Sequence, residues 1–81
     1  MKALVKVTLK PDVLDPQGKA IRSACGQLGY RAIESVRQGK LFEIELSAKT
    51  EVEARRLLEE LAGKLLANPV IEDYAILSIE G

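Results

Sequence analysis

The segment Lys2–Lys10, KALVKVTLK, decides the fold of this chain because small and apolar side chains recur at every second position. A period of two residues is typical of a β-strand with one buried face. Pro11 ends the strand, and Asp15-Pro16 begins a helix. Asp15 can accept hydrogen bonds from the free amides at a helix start, and proline suits the first helical position. The chain therefore begins with a strand followed by a helix.

The first helix carries apolar positions at helical spacing and is predicted to end at Gly29, a residue type that commonly terminates helices. This stripe consists of Ala20, Ile21, Ala24, Cys25 and Leu28. Two β-rich segments between residues 30 and 47 flank Gln38-Gly39-Lys40, where glycine can supply a turn with positive φ, so we predict a hairpin there. The first arm of the hairpin is irregular, which indicates a bulge or an edge position.

A second helix is predicted to begin at the capping box Thr50-Glu51-Val52-Glu53, whose threonine and last glutamate can bond each other's backbone amides. Asn68-Pro69 ends that helix, because the residue before a proline disfavours helical geometry. A last strand is predicted from about residue 73 to residue 80. The order βαββαβ predicts one α+β domain over residues 1–81, a ferredoxin-like four-stranded antiparallel sheet with two helices on one face.

The sheet face away from the two helices should carry four apolar residues among charged ones. That is more apolar surface than water requires. We expect a second copy of the chain to cover this face, in preference to a solvated face with scattered apolar residues. The apolar members of the expected dimer face are Leu4, Leu41, Tyr74 and Ile76.

Composition excludes several classes of partner. Twelve basic and twelve acidic side chains cancel and are scattered, so no large field favours nucleic acid or an anionic membrane. The single cysteine, Cys25, favours a reducing compartment, and no apolar run approaches the length of a membrane span. We expect a cytoplasmic protein that binds neither nucleic acid nor membrane.

The residue types that usually carry catalysis or bind metal are scarce. Histidine is absent, and a lone cysteine forms neither a metal site nor a Cys-His pair. Neighbouring carboxylates occur at Glu43/Glu45, Glu59/Glu60 and Glu72/Asp73. Alternation places the first pair on one strand face. Solvated charge or salt bridging with Lys6 explains that pair better than acid–base catalysis does, because neither an apolar pocket nor a partnering acid is evident. We predict no catalytic residue and no metal site.

The basic pair Arg37 and Lys40 flanks the predicted turn at Gly39. It could hold a phosphate, contact the carboxylate of a partner protein, or be solvated. Gly18 also calls for an explanation, because glycine inside a helix costs about 1 kcal/mol relative to alanine. A close approach of another backbone would justify it.

Four phrases carry a family resemblance: Leu14–Ala20, Leu28–Tyr30, Val36–Lys40 and Leu65–Tyr74. In this combination and spacing they resemble the PurS-type small subunit of phosphoribosylformylglycinamidine (FGAM) synthase. The resemblance runs from the first strand to Tyr74. Between Ala48 and Gly63 it adds little beyond a helical pattern.

The resemblance implies a non-catalytic subunit of a ligase complex in purine biosynthesis, which converts formylglycinamide ribonucleotide to the amidine. It implies a homodimer that joins a large synthetase subunit to a glutaminase subunit and helps ammonia pass between them. ATP, Mg²⁺ and glutamine would be used by those partner subunits, and this chain would bind no cofactor. The positions that match the family's phrases, and are therefore candidates for structural or partner contacts, are Asp15, Gln17, Gly18, Lys19, Arg37, Gly39, Lys40, Asn68, Pro69, Glu72, Asp73 and Tyr74.

Other modules share the βαββαβ order. An ACT-like regulatory module is the main alternative, and it would bind an amino acid near the first strand-helix loop, from Lys10 to Asp15. An RNA-recognition domain needs exposed aromatic residues on its central strands, and only Tyr74 is available here. Metal-carrier domains of this topology use paired cysteines, whereas this chain has one.

Overall fold

A computed structural model describes the whole chain, Met1–Gly81. It contains three strands and two helices, in the order β1 (Lys2–Leu9), α1 (Pro16–Gln27), β2 (Gly39–Glu45), α2 (Glu51–Leu61) and β3 (Glu72–Glu80). A π-helical turn, Ala62–Leu66, continues α2. The predicted first strand, both helices, the second hairpin arm and the last strand are confirmed, with bounds shifted by one or two residues. Neither helix has the length and apolar content needed to cross a membrane.

The sheet has three strands in the order β2-β1-β3, and β1 pairs antiparallel with both neighbours. The predicted four-stranded sheet is therefore wrong. The missing strand is the irregular first arm of the hairpin, residues 30–36, which pairs with no strand. It lies against α1 instead: the Arg22 side-chain Nε donates a hydrogen bond to the Glu34 carbonyl oxygen at 3.2 Å. We call residues 30–38 the return segment.

Only α2 packs against the sheet, so the predicted pair of helices on one face is also wrong. The centre of the core has four fully buried residues. Two belong to β1, one to α2 and one to the π-helical turn, and they are Ala3, Val5, Leu58 and Ala62. In α1 the only buried residue is Gly18. Every member of the predicted apolar stripe of α1 is exposed except Cys25, which is half-buried.

The helix α1 and the return segment form an arm, residues 14–38, beside a body made of the sheet and α2. The molecule measures 50 × 26 × 14 Å, and its radius of gyration is 15.9 Å. A compact domain of this length has a radius of gyration of about 12 Å. The isolated chain is thus elongated and thin for its size.

A β-bulge in β3 changes which side chains share a sheet face. Leu4 lies opposite Ser78 but Val5 lies opposite Ile76, so Leu77 is an extra residue. Directly opposed residues project from the same face. Ile76 therefore lies on the α2 face of the sheet.

The bulge corrects part of the expected dimer face. Tyr74 lies opposite the buried Val7, and its hydroxyl donates to the Glu59 carbonyl oxygen of α2 at 3.5 Å. We call the sheet face away from α2 the open face. The predicted position of Tyr74 and Ile76 on the open face is therefore wrong, because it assumed a strand without a bulge. Leu4 and Leu41 do lie on the open face, where Leu41 is 59% exposed.

Candidate functional site

Three of the four phrases that stand out in the sequence meet at one end of the sheet, where β1 ends and β2 and β3 begin. Thr8 of β1 lies opposite both Gly39 of β2 and Asp73 of β3, so the register brings these segments together. We call this region the polar junction. Its members are Asp15, Gln17, Gly18, Arg37, Gln38, Gly39, Lys40, Asn68 and Glu72.

Asp15 is the buried carboxylate of the junction, with 5% of its surface exposed. Its Oδ1 accepts a hydrogen bond from the Gly18 amide at 2.9 Å, and its Oδ2 accepts one from the Gln38 amide at 2.7 Å. The predicted helix cap is confirmed, and the same carboxylate also ties the start of α1 to the end of the return segment. These two amides, with a smaller contribution from the Arg37 guanidinium, lower the pKa of Asp15.

Two glycines of the junction are required by close packing. A Cβ atom on Gly18 would overlap the carbonyl oxygen of Val36, so the predicted close approach of another backbone is confirmed. A Cβ atom on Gly39 would lie 2.7 Å from Cγ2 of Thr8. The predicted turn with positive φ at Gly39 is wrong, since only Gly29 has a positive φ, 91°, just after the end of α1.

Arg37 holds the loop between β1 and α1. Its Nη2 donates to the carbonyl oxygens of Lys10 at 2.9 Å and Val13 at 3.0 Å. The guanidinium is therefore engaged within its own chain, in the loop where an ACT-like module would bind an amino acid. Sequence alone gave no sign of this contact, because it joins residues more than twenty positions apart.

Glu72 links the segment before β3 to the start of β2. Its Oε1 accepts from the Asn68 amide at 2.7 Å, and its Oε2 lies 3.5 Å from Nζ of Lys40. The Asn68 amide lowers the pKa of Glu72, and the positive charge of Lys40 adds to this effect. Asn68 also accepts from the Val70 amide at 3.1 Å through Oδ1, which closes the turn before β3.

The carboxylates Asp15 and Glu72 border one shallow cavity of about 270 Å³. Gln17, Gln38, Gly39 and Lys40 line it on the polar side, and Val7 and Leu9 form its apolar wall. Gln38 contributes to the junction through its backbone amide, so its residue type gave no signal in the sequence. No group of three or more histidine, cysteine or acidic side chains comes together as a metal site.

The remaining candidates lie outside the junction. Lys19 is exposed on α1, and Pro69 is exposed in the turn before β3. Asp73 is paired with Lys10, with Oδ1 and Nζ 3.3 Å apart, and Tyr74 rests against α2. Their role as partner contacts stays a prediction.

Comparison with known proteins identifies a family. The family model described as PurS, phosphoribosylformylglycinamidine (FGAM) synthase, matches residues 2–80. The PurS subunit from Synechocystis sp. is 46% identical over 79 residues, covering 95% of this chain and 79% of the relative. The PurS subunit from Mycobacterium leprae is 45% identical over 75 residues, covering 93% of this chain and 91% of the relative.

Solved structures that superpose on this chain are also described as PurS or PurLQS. Bacillus subtilis PurS superposes with a TM-score of 0.83 at 42% identity and 98% coverage of both chains. Methanocaldococcus jannaschii PurS, described as one of the subunits of formylglycinamide ribonucleotide amidotransferase in the purine biosynthetic pathway, gives 0.84 at 40% identity, with 98% coverage of both chains. A chain of the Thermotoga maritima PurLQS structure gives 0.88 at 26% identity, covering 96% of this chain and 95% of that one. The match extends over nearly the full length in sequence and in structure, and this chain therefore belongs to the PurS family of FGAM synthase subunits.

Proposed function

We propose that this chain is the non-catalytic small subunit of a cytoplasmic FGAM synthase, acting as a homodimer that joins the synthetase subunit to the glutaminase subunit and assists ammonia transfer. Family membership supports the assignment to this enzyme. The relative from Thermotoga maritima belongs to a structure described as PurLQS, which supports a function exercised within a complex. We further propose that in the FGAM synthase to which this chain belongs the larger subunits use ATP, Mg²⁺ and glutamine.

The amount of exposed surface carries the proposal that the chain works in an assembly. The chain exposes 6037 Å² to solvent. A compact monomer of 8.9 kDa exposes about 4,800 Å², so the excess is roughly 1,200 Å². A standard protein–protein interface covers about 800 Å² on each partner. The excess surface of the isolated chain is therefore larger than the area that one ordinary interface would cover.

Two of the places where this surface carries apolar side chains lie on different parts of the chain. One is the open sheet face, where Leu4 and Leu41 lie among charged residues. The other is the arm, with exposed Ile21, Leu28 and Tyr30. Two distinct apolar surfaces on an 81-residue chain suit a subunit that contacts both a second copy and larger neighbours.

The proposed role in ammonia transfer rests on the proposed position between the two larger subunits. A small subunit that fixes the glutaminase against the synthetase shortens the path between the two reaction sites and shields it from water. The exposed candidates Gln17, Lys19, Pro69 and Asp73 are available for contacts with the larger subunits. The junction carboxylates Asp15 and Glu72 set the shape of that surface by holding three chain segments together.

Reconstitution tests this function. Synthetase and glutaminase subunits from the same source are mixed with and without this chain, and FGAM formation is measured with glutamine and, separately, with ammonium ion as the nitrogen donor. We expect removal of the chain to abolish glutamine-dependent formation and to leave ammonium-dependent formation unchanged. Full glutamine-dependent activity without the chain would contradict the proposal.

A further inference from the structure

We propose that in the homodimer the arm of each chain packs over β2 on the α2 face of the other chain's sheet. This inference rests on the proposed homodimer and specifies its geometry. A compact ferredoxin-like chain covers that part of the sheet with its own first helix. Here the two copies would exchange this contact, so that each arm completes the core of the partner.

The arm lacks a partner within its own chain. Ile21 is 45% exposed and Leu28 is 73% exposed, although both belong to the apolar stripe of α1. The helix has 12 residues, and isolated helices of this length are marginally stable in water. Most helical stability in proteins comes from packing of an apolar face. The arm therefore needs a surface that its own body does not supply.

The body has a matching uncovered surface. On the α2 face, β1 contributes fully buried Ala3 and Val5, and the contacts of α2 with the sheet run mainly to β3. Ile44 and Phe42 of β2 lie opposite Ala3 and Val5, on the same face, but are only half-buried. One helix is about 10 Å across, while neighbouring strands are about 4.8 Å apart, so a single helix leaves the third strand partly open.

The arm does not cover this surface in its own chain, where the junction fixes its base. Asp15 ties both ends of the arm together through the Gly18 and Gln38 amides, and Arg37 fixes the loop that leads into it. These contacts fix the base of the arm, and α1 leaves its apolar stripe exposed instead of covering β2. The arm of a second copy is then left to cover this strand.

A second copy fits better than an unrelated protein because the surplus helix and the open strand occur on the same chain. A two-fold axis pairs both surfaces at once and leaves neither in excess. Charge favours the same contact: the arm carries four basic and two acidic side chains, whereas the rest of the chain carries eight basic and ten acidic ones. The arm is therefore net positive and the body net negative. Arm-to-body contact is favoured over arm-to-arm contact.

Crosslinking between two tagged forms of the chain tests this geometry. One form combines Cys25→Ser with Ile44→Cys, and the other keeps the native Cys25 in α1. The two are mixed, allowed to exchange and treated with a short bis-maleimide. We expect a crosslink between the two tags. The matched control replaces Ile44→Cys by Leu41→Cys, which lies on the open face of the same strand and should give no such crosslink.

A dissociation measurement adds an independent readout. Ile21→Asp places a charge in the exposed stripe of α1, and Ser23→Asp places the same charge on the opposite side of that helix. We expect the first to weaken the dimer by at least about tenfold and the second by less than about twofold. Both sites are exposed in the single chain, so circular dichroism should report an unchanged fold.

The outcomes separate the inference from the proposed homodimer. A dimer that crosslinks through Leu41→Cys instead of Ile44→Cys, or that is equally stable in both aspartate variants, would overturn the arm contact and leave the homodimer intact. A wild-type chain that sediments as a monomer would overturn both.

Discussion

The body and the arm of this molecule are stabilised by different forces, although the sequence gives both of them an apolar stripe. Seven of the nine buried residues are apolar residues of the body. The two buried residues of the arm, Asp15 and Gly18, belong to its polar attachment. The body is thus stabilised by apolar burial, and the arm by hydrogen bonds at its base. The comparison teaches that an apolar stripe on a helix does not by itself show that the helix packs against its own chain.

Replacing a core residue of the body gives the largest expected effect. Leu58→Ala should destabilise the fold by about 2–5 kcal/mol, because it removes a fully buried side chain that packs on Ala3 and Val5. A chain of this length has a total stability of roughly 4–12 kcal/mol. Urea unfolding measures the loss, with the neighbouring Leu57→Ala, which is half exposed, as the control. Equal losses for the two variants would contradict the described core.

A methyl group at the base of the arm gives the next largest effect. Gly18→Ala should destabilise the fold by about 1–3 kcal/mol, because the new Cβ atom would overlap the Val36 carbonyl oxygen. Gly26→Ala lies on the same helix with room for a Cβ atom, and alanine favours helix formation, so it should stabilise by about 0.5–1 kcal/mol. Thermal unfolding measures both. Changes of the same sign would show that α1 and the return segment are not in close contact.

Acid should loosen the junction through Asp15 and Glu72. Their pKa values in the folded chain lie below the ordinary values of 3.8 and 4.5, so the ionised form of each favours folding. Their contribution is complete above about pH 5 and is lost as the pH falls through the folded pKa values. We expect the Tm to fall on acidification, and Asp15→Asn to reduce that dependence. Asp12→Asn, in the exposed loop, is the control, and an equal reduction there would contradict the role of Asp15.

Local signals in the sequence predict most of the secondary structure. Asp15 begins α1, Gly29 follows its end, and Thr50 caps α2, accepting a hydrogen bond from the Glu53 amide at 3.1 Å. Each of these signals acts within four residues. The approach of a second backbone to Gly18 was also predictable, because glycine inside a helix has a cost that needs compensation.

The errors concern contacts between distant residues. Residues 30–36 have a β-rich composition, but pairing requires a free strand edge and a suitable register, and here the segment lies against α1. One extra residue in β3, Leu77, moves Tyr74 and Ile76 to the other face of the sheet. The stripe of α1 indicates which side of the helix is apolar, but it does not indicate which surface that side packs against. Strand pairing, the position of the bulge and the packing of α1 all depend on residues that are distant in the sequence.

Hydrogen exchange as a function of chain concentration tests the central claim most directly. The claim is that the arm obtains its packing from a second copy, whereas the body is packed within one chain. We predict that amides of α1 become more protected as the concentration rises through the dimer dissociation constant, while amides of β1 stay protected throughout. Arm amides whose protection is the same in monomer and dimer would contradict the account.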